Sequence, residues 1–171
     1  MRKTSTSTSS RAAKFTFADF LKVGAERLRL SVVVGVDRLS REIEEPMVNR
    51  PGLALTGFFD HFAWGRLQLF GNVEIAYLRS LEDRERLSRI RSLFERKASC
   101  VIYTNGHKPR RDEVRVADEA GAIVMASALK TRELSHSSAF VFEQLCAPKT
   151  SLYGTMVEVC GIGVQIGRAH V

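Results

Sequence analysis

Three short apolar runs at 99–104, 122–126 and 152–159 alternate with two segments of helical period. That alternation limits the fold more than any other feature of the chain. Asn105-Gly106 breaks the first run. Pro109 then opens a helix with Asp112 and Glu113 in its first turn, where the helix dipole favours acids, and the helix ends near Gly121. From Thr131 to Leu145 a second helix turns Leu134, Val141, Phe142 and Leu145 inward, and Pro148 stops it. A β-α-β-α-β order needs crossover connections. The expected class is therefore α/β, with a parallel or mixed central sheet and helices on both faces.

The first half carries shorter signals. Thr16-x-x-Asp19 has the spacing of a capping box, and Phe17, Phe20, Leu21, Gly24 and Leu28 fall on one helical face behind it. Alternation over 28–34 predicts a strand ending at Gly35. Pro51 keeps Arg50 out of the helical region, and Gly52 suits a tight turn. Residues 53–55 and 67–70 are strand candidates, with a helical turn in the GFFDHF segment between them. Val73, Tyr77, Leu78 and Leu81 make a helix face. Ser80-x-x-Asp83 is expected to cap the next helix, whose inward residues are Leu87, Ile90 and Phe94.

Composition removes several function classes. The 171 residues are 44% hydrophobic and 26% charged, an ordinary globular balance, and no apolar run is long enough to cross a membrane. The net charge of +7 is mostly terminal: residues 1–14 hold Arg2, Lys3, Arg11 and Lys14 with no acid, whereas 15–164 hold 21 bases against 19 acids. No basic face is interleaved with aromatics, so nucleic acid is not an expected partner, and residues 1–14 read as a disordered basic leader. Cys100, Cys146 and Cys160 are widely spaced, form no metal or redox pair, and are expected to be small buried hydrophobes in a reducing cytoplasm.

Little in the chain has catalytic spacing. His61, His107, His136 and His170 lack metal-ligand spacing, and Ser135-His136-Ser137 lies on a helix, where adjacent residues face different ways. Glu42, Glu44 and Glu45 read as a solvated edge beside Pro46. Gly161-Ile162-Gly163 follows a strand, but no lysine appears after Lys149, so no complete phosphate loop is present. We therefore assign no catalytic, cofactor-binding or metal residues. Asn49, Arg50 and Gly52 remain as a contact for an anion or a partner, since Arg50 stands beside free turn amides. The competing reading pairs Arg50 with a nearby acid.

More specific is the run of thirteen residues from Val48 to Asp60, VNRPGLALTGFFD, which closely resembles the signature segment in the amino-terminal domain of HPr kinase/phosphorylase. Arg66-Leu67-Gln68-Leu69-Phe70-Gly71-Asn72-Val73-Glu74, Tyr77-Leu78, Leu145-Cys146-Ala147-Pro148 and the segment from Tyr153 to Val164 follow in register, so the resemblance covers about 17–164. It implies an α/β domain over 15–148, similar to the first domain of some Mur ligases and to DRTGG modules. It also implies that 149–164 begin a catalytic domain whose phosphate loop would follow Val164. In the family that second domain uses ATP or pyrophosphate with Mg²⁺ to phosphorylate a serine of the phosphocarrier HPr, and reverses the reaction. The resemblance implies a homo-oligomer, a hexamer, and the expected setting is the cytoplasm. Tyr153 stands where the family has a catalytic histidine, and a phenol cannot serve as that base at neutral pH without a large shift. Residues 165–171, QIGRAHV, match neither the family nor a strand pattern and read as a non-native tail. The alternative to a kinase scaffold is a self-standing DRTGG-like module that binds a small anionic ligand or a protein partner without catalysis.

Overall fold

The computed structural model describes residues 14–147, together with the backbone of two further strands at 154–159 and 162–167. The first helix is set by the capping box. The Asp19 backbone N–H donates to Thr16 Oγ1 at 3.2 Å, and the Thr16 N–H donates to Asp19 Oδ2 at 2.9 Å. This reciprocal pair satisfies two free amides and starts helix α1 (Phe17–Gly24). A Cβ on Gly24 would stand 3.1 Å from a Val141 methyl, so glycine is what lets two helices approach here.

Strands β1 (Leu30–Val34), β2 (Val48–Asn49), β3 (Leu67–Phe70), β4 (Cys100–Tyr103) and β5 (Ile123–Ser127) form one sheet in the order β1-β5-β4-β3-β2. Strands β2 to β5 run parallel, and β1 closes one edge antiparallel to β5. Side chains alternate across the central strands. Phe70, Val101, Tyr103, Val124 and Ala126 meet a layer of helices α2 (Gly52–Leu55), α3 (Asn72–Ser80), α4 (Asp83–Glu95) and α5 (Arg111–Glu119). Leu67, Leu69, Cys100, Ile102, Ile123 and Met125 meet α1 and α6 (Thr131–Cys146). The mixed sheet with helices on both faces is thus the expected α/β architecture. Because both faces are covered, β3, β4 and β5 are buried at every position, which is why β4 and most of β5 read as apolar runs, while β3 buries the polar Gln68.

Several local expectations are corrected. Residues 53–55 are not a strand but most of α2, whose first residue, Gly52, needs no tight turn. The strand beside them is Val48–Asn49, too short to show a period. Leu28 is fully buried but precedes β1, because the chain leaves α1 through a turn in which Arg29 takes a φ of 47°. Glu82, not Ser80, occupies the N-cap of α4, since the Ser80 hydroxyl donates backward to Tyr77 O at 2.7 Å. Val73 is exposed rather than inward. The GFFDHF segment forms a turn in which the Phe62 N–H reaches Phe59 O at 3.0 Å, with no helix. Cys100 is buried as expected, but Cys146 is exposed at the end of α6, and Cys160 lies outside the described residues. Lys14, counted with the leader, is described and pairs with Glu42 at 2.8 Å; residues 1–13 lie outside the described set.

The third strand of the β-α-β-α-β reading does not join the main sheet. Strand β6 (Gly154–Val159) pairs antiparallel with β7 (Ile162–Gly167) as a separate two-stranded sheet. Gln165, Ile166 and Gly167, set aside as tail, are therefore part of a strand, because Val164 and Ile166 continue a period of two once Gly163 is counted as a strand residue.

Candidate functional site at the carboxyl edge of the sheet

Helices α2 to α5 return over one face of the sheet, while α6 leaves β5 for the other. The chain exits from β4 and β5 therefore diverge at the carboxyl ends of the parallel strands, the edge at which open α/β sheets usually bind ligands. The loops at this edge are joined by polar side chains. The hydroxyls of Thr104, just past β4, and Thr131, the first residue of α6, lie 2.6 Å apart. Asn105 Nδ2 donates to both, at 3.1 and 2.9 Å, and holds this position with a φ of 58°, a left-handed conformation that asparagine tolerates better than most residues. Thr104 Oγ1 also reaches Phe70 O at 3.2 Å. Gly71 follows β3, and a Cβ there would stand 2.6 Å from Thr131 Oγ1, so only glycine lets these loops close together. His107 Nε2 and Asn72 Oδ1 are 2.8 Å apart at the outer rim.

The same edge continues to β2, where Asn49, Arg50 and Gly52 stand. Asn49 Nδ2 donates to Gln68 Oε1 at 2.8 Å. Arg50 Nη2 donates to Glu74 Oε2 at 3.1 Å, and that oxygen also accepts the Gly71 N–H at 2.9 Å. Glu74 is only 3% exposed while Arg50 is 51% exposed, so the arginine neutralises a carboxylate that would otherwise be buried unpaired. Arg50 thus makes the ion pair that the competing reading expected. Beside it lies a small cavity of about 160 Å³, lined by Asn49, Arg50, Phe58, Asp60, His61 and Phe62. Asp60 adds negative charge there, and Arg50 is already balanced by Glu74.

Other candidates stay apart. Ser135 borders an open groove with the exposed His136, and the two share no hydrogen bond. Among the described residues no group of three or more His, Cys, Asp or Glu could hold a metal ion. Glu42 and Glu45 are exposed and paired with Lys14 and Arg66, as a solvated edge requires. Tyr153 lies outside the described residues.

A second polar network escaped the sequence. Arg86, only 2% exposed, sits between α4 and α5 against Asp83, Asp112 at 2.5 Å and Glu113 at 3.2 Å. Glu113 Oε2 also accepts from the Tyr103 hydroxyl at 3.1 Å and from the Arg110 N–H at 2.9 Å. Burial, then the Glu113 carboxylate, push the Tyr103 phenol well above its ordinary value. The hydrogen bond from Arg86 holds the Asp83 carboxyl below its usual range. The buried Arg86 and Glu113 at its centre join two helices, while Asp83 stays exposed at its outer side. Arginines dominate the charged face of α4 in the sequence, so nothing marked Arg86 as the buried one. Thr104, Asn105, Gly71 and Thr131 were equally hidden, because Asn105-Gly106 reads only as a strand breaker.

Comparison with known proteins supplies what the geometry alone does not. Residues 21–140 match the family model described as "HPr Serine kinase N terminus". The chain is 39% identical over 146 residues to HPr kinase/phosphorylase of Leptospira biflexa serovar Patoc, covering 84% of this chain and 45% of that protein. It is 33% identical over 142 residues to HPr kinase/phosphorylase of Streptococcus uberis, covering 82% of this chain and 46% of that protein. The chain thus spans a little under half the length of these curated relatives. Among solved structures, the CBS and DRTGG domains of the regulatory region of Clostridium perfringens pyrophosphatase, complexed with the activator diadenosine tetraphosphate, align with a TM-score of 0.49 at 14% identity. That alignment covers 77% of this chain and 47% of that one.

Proposed function

The chain belongs to the HPr kinase/phosphorylase family and corresponds to its amino-terminal domain, and from that premise we propose that it serves as the non-catalytic scaffold of a bifunctional HPr serine kinase/phosphorylase. In this reading the transfer of phosphate to and from a serine of HPr, with ATP or pyrophosphate and Mg²⁺, belongs to a second domain that the relatives' additional length accommodates. The partners are HPr, met through that domain, and further copies of the protein in a hexamer, and the setting is the cytoplasm. No helix among the described residues is long and apolar enough to cross a membrane, in keeping with that setting.

The observation that carries the proposal is the position of the match. The family model for the amino-terminal domain spans 21–140, across the five-stranded sheet and most of both helical layers. Phosphoryl transfer depends on a lysine and Mg²⁺ ligands placed around the transferred group, and the carboxyl edge of this sheet holds threonines, an asparagine and a neutralised arginine instead. The purified chain, mixed with HPr, ATP and Mg²⁺, is expected to give no phosphoserine by mass spectrometry. A full-length relative from Leptospira biflexa, assayed in parallel, is expected to phosphorylate HPr. Mg²⁺-dependent phosphorylation by the chain alone would overturn the proposal.

A further inference from the structure

The opposite, amino edge of the sheet holds a hollow of about 360 Å³ bordered by Arg41, Glu42, Glu44, Trp64, Phe94 and Lys97. That is within the size range of small-molecule sites. Three observations give it a chemistry. Trp64, the single tryptophan of the chain, is 40% exposed on its wall, and buried Phe94 adds a second aromatic surface. The charges do not balance. Lys14 pairs with Glu42 at 2.8 Å and also lies in the field of Glu44, whereas neither Arg41 nor Lys97 has an ion-pair partner among the described residues. With Glu42 taken up by Lys14 from outside the lining, the hollow keeps two cations, Arg41 and Lys97, against one carboxylate, Glu44.

Lys97 is also held where a lysine is unfavourable. It follows α4 at the left-handed position of a Schellman ending, with its N–H on Phe94 O at 2.9 Å and the Ala98 N–H on Leu93 O at 3.1 Å. Its φ of 69° belongs to the region where glycine is the default residue. From there its ammonium reaches the Trp64 ring, 5.5 Å from the centroid. A cation anchored on a rigid helix end beside an aromatic wall is arranged to meet an anion that carries a flat body.

We propose that this amino-edge hollow binds a small organic anion with a planar body, which lies against Trp64 while Lys97 and Arg41 take its charge. A nucleoside monophosphate and an aromatic carboxylate share this chemistry. The site is independent of the kinase scaffold reading, since it uses none of the carboxyl-edge residues.

The test follows the indole N–H resonance of Trp64 in the ¹⁵N-labelled full chain, the one indole signal it can give. Probes are AMP and 4-hydroxyphenylacetate, with adenosine and inorganic phosphate as half-ligands. A saturable shift is expected with at least one of the two anions. A shift with AMP alone identifies a phosphate ligand, one with 4-hydroxyphenylacetate alone a carboxylate, and one with both an unselective anion site. Binding should weaken about tenfold in Lys97→Gly and in Arg41→Gln, the loss typical of a charge-assisted hydrogen bond. Lys97→Gly relieves the left-handed backbone, so its melting temperature should not fall and weaker binding cannot be blamed on unfolding. No saturable shift with either anion at millimolar concentration would overturn the proposal. So would binding by Lys97→Gly equal to wild type, or adenosine binding as tightly as AMP.

Discussion

Arg86 shows how much one side chain can decide. A guanidinium enclosed between α4 and α5 is tolerable only because Asp83, Asp112 and Glu113 surround it. Arg86→Met keeps the bulk and removes the charge, leaving Glu113 buried without its cation. We expect a loss of about 3 kcal/mol of stability in urea unfolding, the scale for breaking a buried pair. The pH dependence has a defined sign. Asp83 is held below its ordinary value by Arg86, so its contribution is present above about pH 4 and lost as pH falls through the lowered value; the acid limb should flatten in Arg86→Met. Tyr103 is raised by burial and Glu113, so its contribution is present below about pH 10 and lost as pH rises beyond it. Melting curves of Tyr103→Phe should lack that alkaline decline. Burial also pushes the Cys100 thiol far up, while Cys146 is exposed. Thiol labelling of the native protein, mapped by peptide, should modify Cys146 and spare Cys100 until denaturant is added.

At the scale of elements, close packing between loops fixes the carboxyl edge. Gly71→Ala would drive a methyl to within 2.6 Å of Thr131 Oγ1, and we expect a cost of about 2 kcal/mol in chemical denaturation, typical of overpacking. Adding Thr131→Ala removes the clashing oxygen, so the double variant should recover part of that loss relative to the sum of the two single changes. The elements legible beforehand were those whose pattern is local and long enough. The Thr16–Asp19 box announces α1 through its cap, α5 and α6 announce themselves through a helical period, and β4 and β5 through apolar runs. Residues 53–55 failed this test. Leu-Ala-Leu has no period of its own, and its helix exists because Ala54 and Leu55 pack under α4. Ser80 failed for a different reason: it ends α3, where its hydroxyl donates to Tyr77 O one turn earlier.

For the molecule as a whole, the two helical layers bury both faces of the five-stranded sheet within residues 14–147, whereas β6 and β7 pair only with each other. A fragment of 14–147 should therefore fold alone, with a cooperative melt within a few degrees of the full chain; loss of the transition in that fragment would show that the hairpin is needed. The sequence by itself determined the α/β class, the inward residues of most helices and membership of the family, because period, capping and motif are properties of neighbours along the chain. Only the tertiary structure decided that β1 runs antiparallel at the edge, that Arg50 serves Glu74, that Thr104 meets Thr131, and that Arg86 is the buried arginine of α4. Each of these joins residues distant in sequence, and which of several similar side chains finds a partner depends on how the layers pack, a choice that no local pattern encodes.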